Sequence, residues 1–244
     1  MTTTLCIDIG GSGLKAALVN LDGDMVSERV KIKTPYPCPP QRLVESLLRL
    51  VDGIGEYDRV SVGFPGLVRN GIVNNIPSLS RVSYAGATSP ELVAQWHGHD
   101  LQSALQAAFD RPLKLANDAD VQGAAVVEGV GFEFVMTLGT GIGTAVFLDG
   151  RLLPHLELSH GLFRTGVDFD AAIGNAARKR IGGSRWTARV LQAIALFDAV
   201  LFFDRCHIGG GNASRLADIE LPQRCRIVSN TAGLLGGVRL WDHV

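Results

Sequence analysis

No apolar run in the 244-residue sequence approaches the ~18 to 20 residues that a membrane-spanning helix requires, so no membrane partner is expected. Nor is there a long block of one charge. Twenty-three basic side chains stand against 24 acidic ones, a formal net charge of -1, which argues against a nucleic-acid partner held by a basic surface. Cysteine is scarce: Cys6, Cys38, Cys206 and Cys225 lie far apart with no C-x-x-C pair. Neither zinc ligation nor a disulfide framework suits that spacing, and the thiols are expected to be reduced and mostly buried. Met1-Thr2-Thr3-Thr4 runs straight into an apolar strand, with no basic n-region and no small-residue cleavage site. The expectation is a cytoplasmic protein. Two common phosphate-binding signatures are also missing. No G-x-x-x-x-G-K-[ST] occurs, and the first glycine cluster leads into a strand where the dinucleotide fingerprint requires a helix.

What is present is glycine, in clusters, beside alternating strands and helices. Leu5–Ile9, Leu14–Asn20 and Met25–Ile32 read as a three-strand meander, followed by the Pro-rich segment from Pro35 to Pro40. Leu43, Leu47, Leu48, Leu50, Val51 and Ile54 recur at helical spacing. Val60–Phe64 is a strand, Gly71–Asn75 a short hairpin return, and Ile76 to His99 a surface loop carrying Trp96. Leu101–Phe109 is helical and Leu113–Ala116 a strand. From Ala119–Glu128, a helix, the order partly repeats: strands at Phe134–Leu138 and Thr144–Leu148, and a return near Arg151-Leu152-Leu153. Helical stretches then fall near Asp168–Arg180 and Ser184–Phe203, with strands at Cys206–Ile208 and Arg226–Ser229 and a last helix at Thr231–Trp241. Hairpins that open each half, followed by alternating elements, suggest two related α/β lobes. Their expected extents are 1–115, with 231–244 returning to it, and 116–230.

Three glycine turns each adjoin an apolar strand: Gly10-Gly11-Ser12-Gly13 after Asp8, Gly139-Thr140-Gly141-Ile142-Gly143, and Gly209-Gly210-Gly211-Asn212. Glycine lets backbone N–H groups approach an anion closely, so such turns can cradle phosphate oxygens, with Ser12 and Thr140 as further donors and Lys15 as a charge. Each alone is equally a tight hairpin; three together favour a nucleotide or polyphosphate ligand. Asp8, at the carboxyl end of the first strand, is placed to hold Mg²⁺ through water.

Asn117-Asp118-Ala119-Asp120 stands at a strand-to-helix junction, where Asn and Asp are good helix caps. One of the two carboxylates can also serve as general base toward a substrate hydroxyl, with Asn117 on a neighbouring hydroxyl. Glu157 and His160, three apart, share a face of a helical turn. They suit the hydroxyls of a polyol better than a metal, because no third ligand lies near in sequence.

The strings DIGGSGLK, FPGLVRNGIV, LANDADVQG, TLGTGIGTAVFLDG, LELSH, IGGGN and NTAGLLGG, in that order, resemble the ROK family of the actin-like ATPase superfamily, and within it the polyphosphate glucokinase branch. The resemblance implies two actin-like (ribonuclease H-like) α/β lobes with a cleft between them. It implies a sugar kinase that moves a phosphoryl group from ATP or polyphosphate, with Mg²⁺, to a hexose, glucose first. Asp118 then matches the catalytic base. Gly66, Asn75, Asn117, Glu157 and His160 match sugar-binding positions. Asp8, Gly10, Gly11, Ser12, Gly13 and Lys15 match the first phosphate loop, and Gly139, Thr140, Gly141 and Gly143 the second. Gly209, Gly210, Gly211 and Asn212 match the turn that meets adenosine. Ser159 stands where the family has glycine in E-x-G-H. The cysteine-rich loop that follows in many members is replaced by Gly161-Leu162-Phe163-Arg164, so no zinc is expected. The absence of an N-terminal helix-turn-helix sets the repressor branch aside, and the family allows a homodimer. The alternatives are a kinase for a sugar other than glucose and a non-catalytic sugar or nucleotide binder of the same fold.

Overall fold

The computed structural model describes residues 2–228 and 232–243. The end of the strand expected at Arg226–Ser229 and the first residue of the expected last helix, Thr231, lie outside the described residues. Among the described residues, 2–125 and 232–243 form one compact unit and 126–228 the other.

The first unit opens with β1 (Thr4–Ile9), β2 (Gly13–Val19) and β3 (Val30–Lys33), then α1 (Pro40–Leu50) and β4 (Arg59–Phe64). A small hairpin of β5 (Leu67–Arg69) and β6 (Ile72–Asn75) precedes α2 (Pro90–Trp96), α3 (Leu101–Phe109), β7 (Leu113–Asn117) and α4 (Asp118–Ala124). The sheet order is β3-β2-β1-β4-β7, antiparallel on the hairpin side and parallel from β1 to β7. Side chains alternate faces along a strand. Leu5, Ile7 and Ile9 accordingly meet Leu43 and Leu47 of α1 and Leu101 and Leu105 of α3, while Cys6, Ala17 and Val19 pack with Leu234 and Val238 of the last helix, Ala232–His243.

That helix lies very close to its neighbours. A methyl group on Gly236 would overlap the Val121 carbonyl of α4, and one on Gly237 would fall 2.7 Å from Cys6 Sγ. Trp241 donates to Ser61 Oγ (2.8 Å), Ser61 donates to Gly237 O (2.6 Å), and the indole ring lies under Arg59 and Lys114. Because α4 is packed this way, the division of the chain falls after Ala125, not at the expected 115/116 boundary.

Three further expectations are corrected in the first unit and at its end. The strand expected from Met25 reduces to Val30–Lys33 plus a single bridge between Met25 and Val19. The helix expected to Glu128 stops at Ala124, and the Glu128 and Gly129 N–H groups instead donate to the Glu133 carboxylate. The loop expected from Ile76 to His99 contains α2, started by Ser89 Oγ accepting from Leu92 N and by Pro90 in the first turn. Its Trp96 is 1% exposed, donates to Cys38 O (2.9 Å) and packs 5.7 Å from Phe64, so it belongs to the core.

The second unit repeats the plan. It contains β8 (Phe132–Leu138), β9 (Ile142–Leu148), β10 (Arg151–Leu152), a 3-10 turn at Leu158–His160, and the hairpin of β11 (Leu162–Arg164) and β12 (Val167–Asp168). There follow α5 (Phe169–Ile173), α6 (Asn175–Ile181), α7 (Gly183–Leu201), β13 (Arg205–Gly209) and β14 (Cys225–Ile227). The sheet order is β10-β9-β8-β13-β14. Phe134, Met136 and Leu138 pack against Val190, Ile194 and Phe197 of α7, with Phe169 stacked on Phe197 at 4.3 Å. The helix expected over Asp168–Arg180 is broken at Gly174, where any side chain would press on Asp170 O and Thr140 O.

The other face of this sheet carries a buried polar chain. His207 Nε2 donates to Glu133 (2.6 Å), and both side chains are fully buried. Arg226 Nε donates to His207 Nδ1 (2.9 Å) and its guanidinium pairs with Glu128. Since Nδ1 accepts, the imidazole is neutral, and burial, with Arg226 acting in the same direction, pushes its pKa down. Burial works against ionisation of Glu133, yet the Glu128 and Gly129 N–H groups and His207 hold its carboxyl below the ordinary value. Among the described residues no helix is long and apolar enough to cross a membrane.

Candidate functional site

In the first unit, the carboxyl edge of the parallel strands collects five of the sequence-derived candidates. Asp8, Gly63 and Ala116 are in register across β1, β4 and β7, so Asp8 and Ala116, two residues before α4, lie about 10 Å apart by strand spacing. Gly63 between them carries no side chain. Asn117 ends β7 and caps α4: its Oδ1 accepts from Ala119 N (2.7 Å) and its Nδ2 donates to Gly66 O (3.1 Å). Asp118 is the first residue of α4, half-buried, with Oδ1 accepting from Ala119 N at 2.9 Å. Gly66 is itself buried against Asn75, and a methyl there would overlap Asn75 O. Asn117, Asp118, Gly66 and Asn75 therefore form one cluster, with Asn75 exposed.

The first glycine turn is closed by Gly10 N donating to Gly13 O (3.0 Å). Thr34 Oγ1 donates to Gly10 O (2.6 Å) and Tyr36 OH to Gly11 O (2.7 Å), which fixes the carbonyls inward to the protein. Ser12 is exposed at the tip. Lys15 faces Asp8 across β1 and β2 and donates to it at 2.8 Å. One carboxylate beside such a turn suits Mg²⁺ carried in on phosphate oxygens, since that ion keeps several waters and needs few protein ligands. Among the described residues no three His, Cys, Asp or Glu side chains form a metal cage.

In the second unit, the other two glycine turns are clamped together. Asn212 N donates to Leu138 O (2.9 Å) and Asn212 Nδ2 to Gly139 O (3.3 Å), while Gly139 N donates to Gly141 O (3.0 Å). Gly210, at φ +86°, approaches Leu138 so closely that a methyl would fall 2.6 Å from its backbone N and O. Thr140 and Gly211 are exposed at the rim, and Gly143 and Gly209 lie within β9 and β13.

Glu157 precedes and His160 ends the 3-10 turn, which Thr144 Oγ1 ties to β9 through Leu156 O (2.8 Å). Ser159 is buried there and outside the left-handed region, so the turn forms without the glycine that the family pattern has. The His155 imidazole, 3.6 Å away, holds Glu157 ionised by lowering its pKa, and His160 acts in the same direction.

Sequence reasoning missed Asp170. It is the second residue of α5, and its Oδ1 accepts from Ile142 N at 2.6 Å, so it anchors the turn from Gly139 to Gly143. Burial raises its pKa against that hydrogen bond, and the charges of His160 and Glu157 both reach it. The same carboxylate thus lies beside the glycine turn and the Glu157–His160 turn. Only a signal in three dimensions finds it, because 28 residues separate it from Ile142. Also missed was a basic stretch: between Asp170 and Asp198 there are five cations, Arg178, Lys179, Arg180, Arg185 and Arg189, and no acid. Among the described residues none of the five has a carboxylate partner, and α6, which carries three of them, begins where Asn175 N donates to Thr140 O (3.2 Å).

A model of the ROK family matches residues 4–156. A polyphosphate glucokinase of Mycobacterium tuberculosis is 28% identical over 247 residues, covering 94% of this chain and 88% of the relative. An N-acetylmannosamine kinase of Escherichia fergusonii is 32% identical over 262 residues, covering 96% and 85%. The crystal structure of an inorganic polyphosphate/ATP-glucomannokinase from Arthrobacter sp. strain KM superimposes with a TM-score of 0.80 at 27% identity over the whole of both chains. The fold is the actin-like (ribonuclease H-like) α/β fold, with one five-stranded sheet of matching order in each unit.

Proposed function

The chain belongs to the ROK family, and on that premise we propose that it is a sugar kinase moving a phosphoryl group from inorganic polyphosphate or ATP to a hexose hydroxyl, with glucose as acceptor. The observation that carries the reading is the Asn117–Asp118 pair, locked to Gly66 O and set at the edge of the sheet that also presents Asp8. In-line phosphoryl transfer asks the protein for positioning, charge neutralisation and a proton acceptor.

Asp118 takes the hydroxyl proton as the sugar oxygen forms its bond to phosphorus and the bond to the leaving phosphate oxygen breaks. Asn117, Gly66 and Asn75 orient the acceptor, and the family pattern assigns hydroxyl binding to Glu157 and His160 as well. Glu157 is suited to accept hydrogen bonds because His155 and His160 keep it ionised. The N–H groups of the glycine turns at Gly10 to Gly13 and Gly139 to Gly143, with Ser12, Thr140 and Lys15, face the phosphates. Gly209 to Asn212 serve the rest of a nucleotide donor. Asp8 would hold Mg²⁺, which supplies charge neutralisation on the phosphate oxygens. The uncompensated cations from Arg178 to Arg189 support polyphosphate as a donor, because a long polyanion gains from a basic track and the neutral adenosine end of ATP does not.

A sugar other than glucose is the second reading, favoured by the 32% identical N-acetylmannosamine kinase. A matrix of donors against hexoses and amino sugars decides among these. Asp118→Ala is expected to lower kcat by about 10² to 10⁴ while sugar binding persists. Near-normal turnover in that variant would overturn the assignment of Asp118, and calorimetric sugar binding with no product from any donor would favour a non-catalytic binder.

A further inference from the structure

Two of the four cysteines, 19 residues apart in sequence, are cross-strand partners: Cys206 of β13 is in register with Cys225 of the parallel edge strand β14. Neighbouring strands run about 4.8 Å apart, which lies inside the Cα separation of roughly 4.4 to 6.8 Å found in disulfides. Register partners project to the same face, so the two thiols are neighbours on the side of the sheet that faces α7. Both are free thiols in this structure.

The two sulfurs differ in access. Cys206 is fully buried in the core under α7, whereas Cys225 is only half-buried. Cys225 also lines a surface cavity of about 320 Å³ together with Arg205, Arg224, Arg226, Glu128 and Asp204. Cys206 is closed to solvent, and Cys225 is the more accessible of the two residues. Electrostatics point the same way. The neighbouring Cys206 lowers the Cys225 thiol, and Arg224 acts with it against burial and Asp198. Cys6 has Ala17 and Ser61 as its register partners and Cys38 lies in the segment between β3 and α1, and burial pushes each thiol up to about 12, so they stay protonated.

We propose that Cys225 and Cys206 form a peroxide-responsive dithiol, in which Cys225 is the attacking thiol and Cys206 the resolving one. The Cys225 thiolate attacks one oxygen of hydrogen peroxide, the O–O bond breaks, and the departing hydroxide takes a proton to become water. The resulting Cys225 sulfenic acid is attacked by Cys206 sulfur. The S–S bond forms as the S–O bond breaks, and the Cys206 proton leaves with the hydroxyl as a second water. Two thiols are oxidised and one peroxide is reduced to two waters. The product staples the edge strand to β13, the strand that runs into the Gly209–Asn212 turn.

The test uses the purified full-length chain treated with hydrogen peroxide, followed by intact mass, thiol titration under denaturing conditions and peptide mapping. The wild type should lose two of its four titratable thiols and two hydrogens of mass, give a linked peptide joining Cys206 to Cys225, and recover on addition of dithiothreitol. Cys206→Ser should accumulate a dimedone-trapped sulfenic acid on Cys225, and Cys225→Ser should keep its three thiols. Because Cys206 is a core residue, a second measurement needs no variant: iodoacetamide on the folded wild type should label Cys225 before Cys6, Cys38 or Cys206. Four surviving thiols under excess peroxide, oxidation first at Cys6 or Cys38, a link between two molecules, or labelling that begins elsewhere would each overturn the proposal.

Discussion

The turn after β1 carries its own charges, because Asp8 and Lys15 face each other across the hairpin that it closes. The equivalent turn after β8 has none: Thr137 faces Gly143 across its hairpin, and the nearest carboxylate is supplied from α5 by Asp170, bonded to Ile142 N. Each turn is closed by a backbone hydrogen bond of 3.0 Å, but Gly10 N reaches Gly13 O across a four-residue loop and Gly139 N reaches Gly141 O across a three-residue one. The first turn thus has its ion pair on its own two strands and is steadied by Thr34 and Tyr36, whereas the second takes its carboxylate from outside, with Asp170 on one side and Asn212 and Gly210 on the other. The sheets below them differ in the same sense. Thr4 and Ser61 of the first unit are neutral and are satisfied by Arg59 and by the last helix, whereas the second unit buries Glu133 and His207.

The largest expected effect separates the turns by space. Gly210→Ala combines a left-handed φ with a clash against the Leu138 backbone and should cost about 3 kcal/mol or more. Gly10→Ala meets only Gly13 O at 3.1 Å and should cost about 1 kcal/mol or less. Equal shifts in denaturant midpoint would remove the contrast. Next is Asp170→Ala, which leaves the Ile142 N–H without its acceptor and should cost about 1 to 3 kcal/mol. The same variant should raise the donor KM. Lys15→Ala removes one member of a pair that is 43% and 27% exposed and should shift stability by less than about 1 kcal/mol. A larger stability loss from Lys15→Ala than from Asp170→Ala would reverse the argument.

The smallest effect is on pH. His207 and Glu133 both have lowered pKa values in the folded chain, so the unfolded chain binds more protons on acidification. The stability they contribute is complete above the ordinary histidine value of 6.5 and is lost as pH falls, first through the His207 window and then through that of Glu133. Glu133→Gln should flatten the acid limb of midpoint against pH. An unchanged limb would show that the buried pair does not set it.

Much of this was legible from residue order. The strands beside each glycine turn, the helix Leu101–Phe109 and the cap at Asn117 follow from hydrophobic period and local hydrogen bonding, which act over a few residues. Where a longer-range partner decides, local pattern fails. Trp96 reads as a loop residue until Cys38 O accepts from its indole, although Ser89-Pro90-Glu91 is a start signal that marks its helix. The break at Gly174 is invisible without Thr140 lying against it.

The amino-acid order by itself determined the α/β plan, the three glycine turns and the residue types placed at the strand ends, because backbone geometry and hydrophobic period are local. Tertiary structure decided that Asp170 anchors the second turn, that Asn212 clamps it, and that Cys206 lies beside Cys225. Each of those relations joins residues distant in the chain, and only the register of packed strands and helices sets the distance between them.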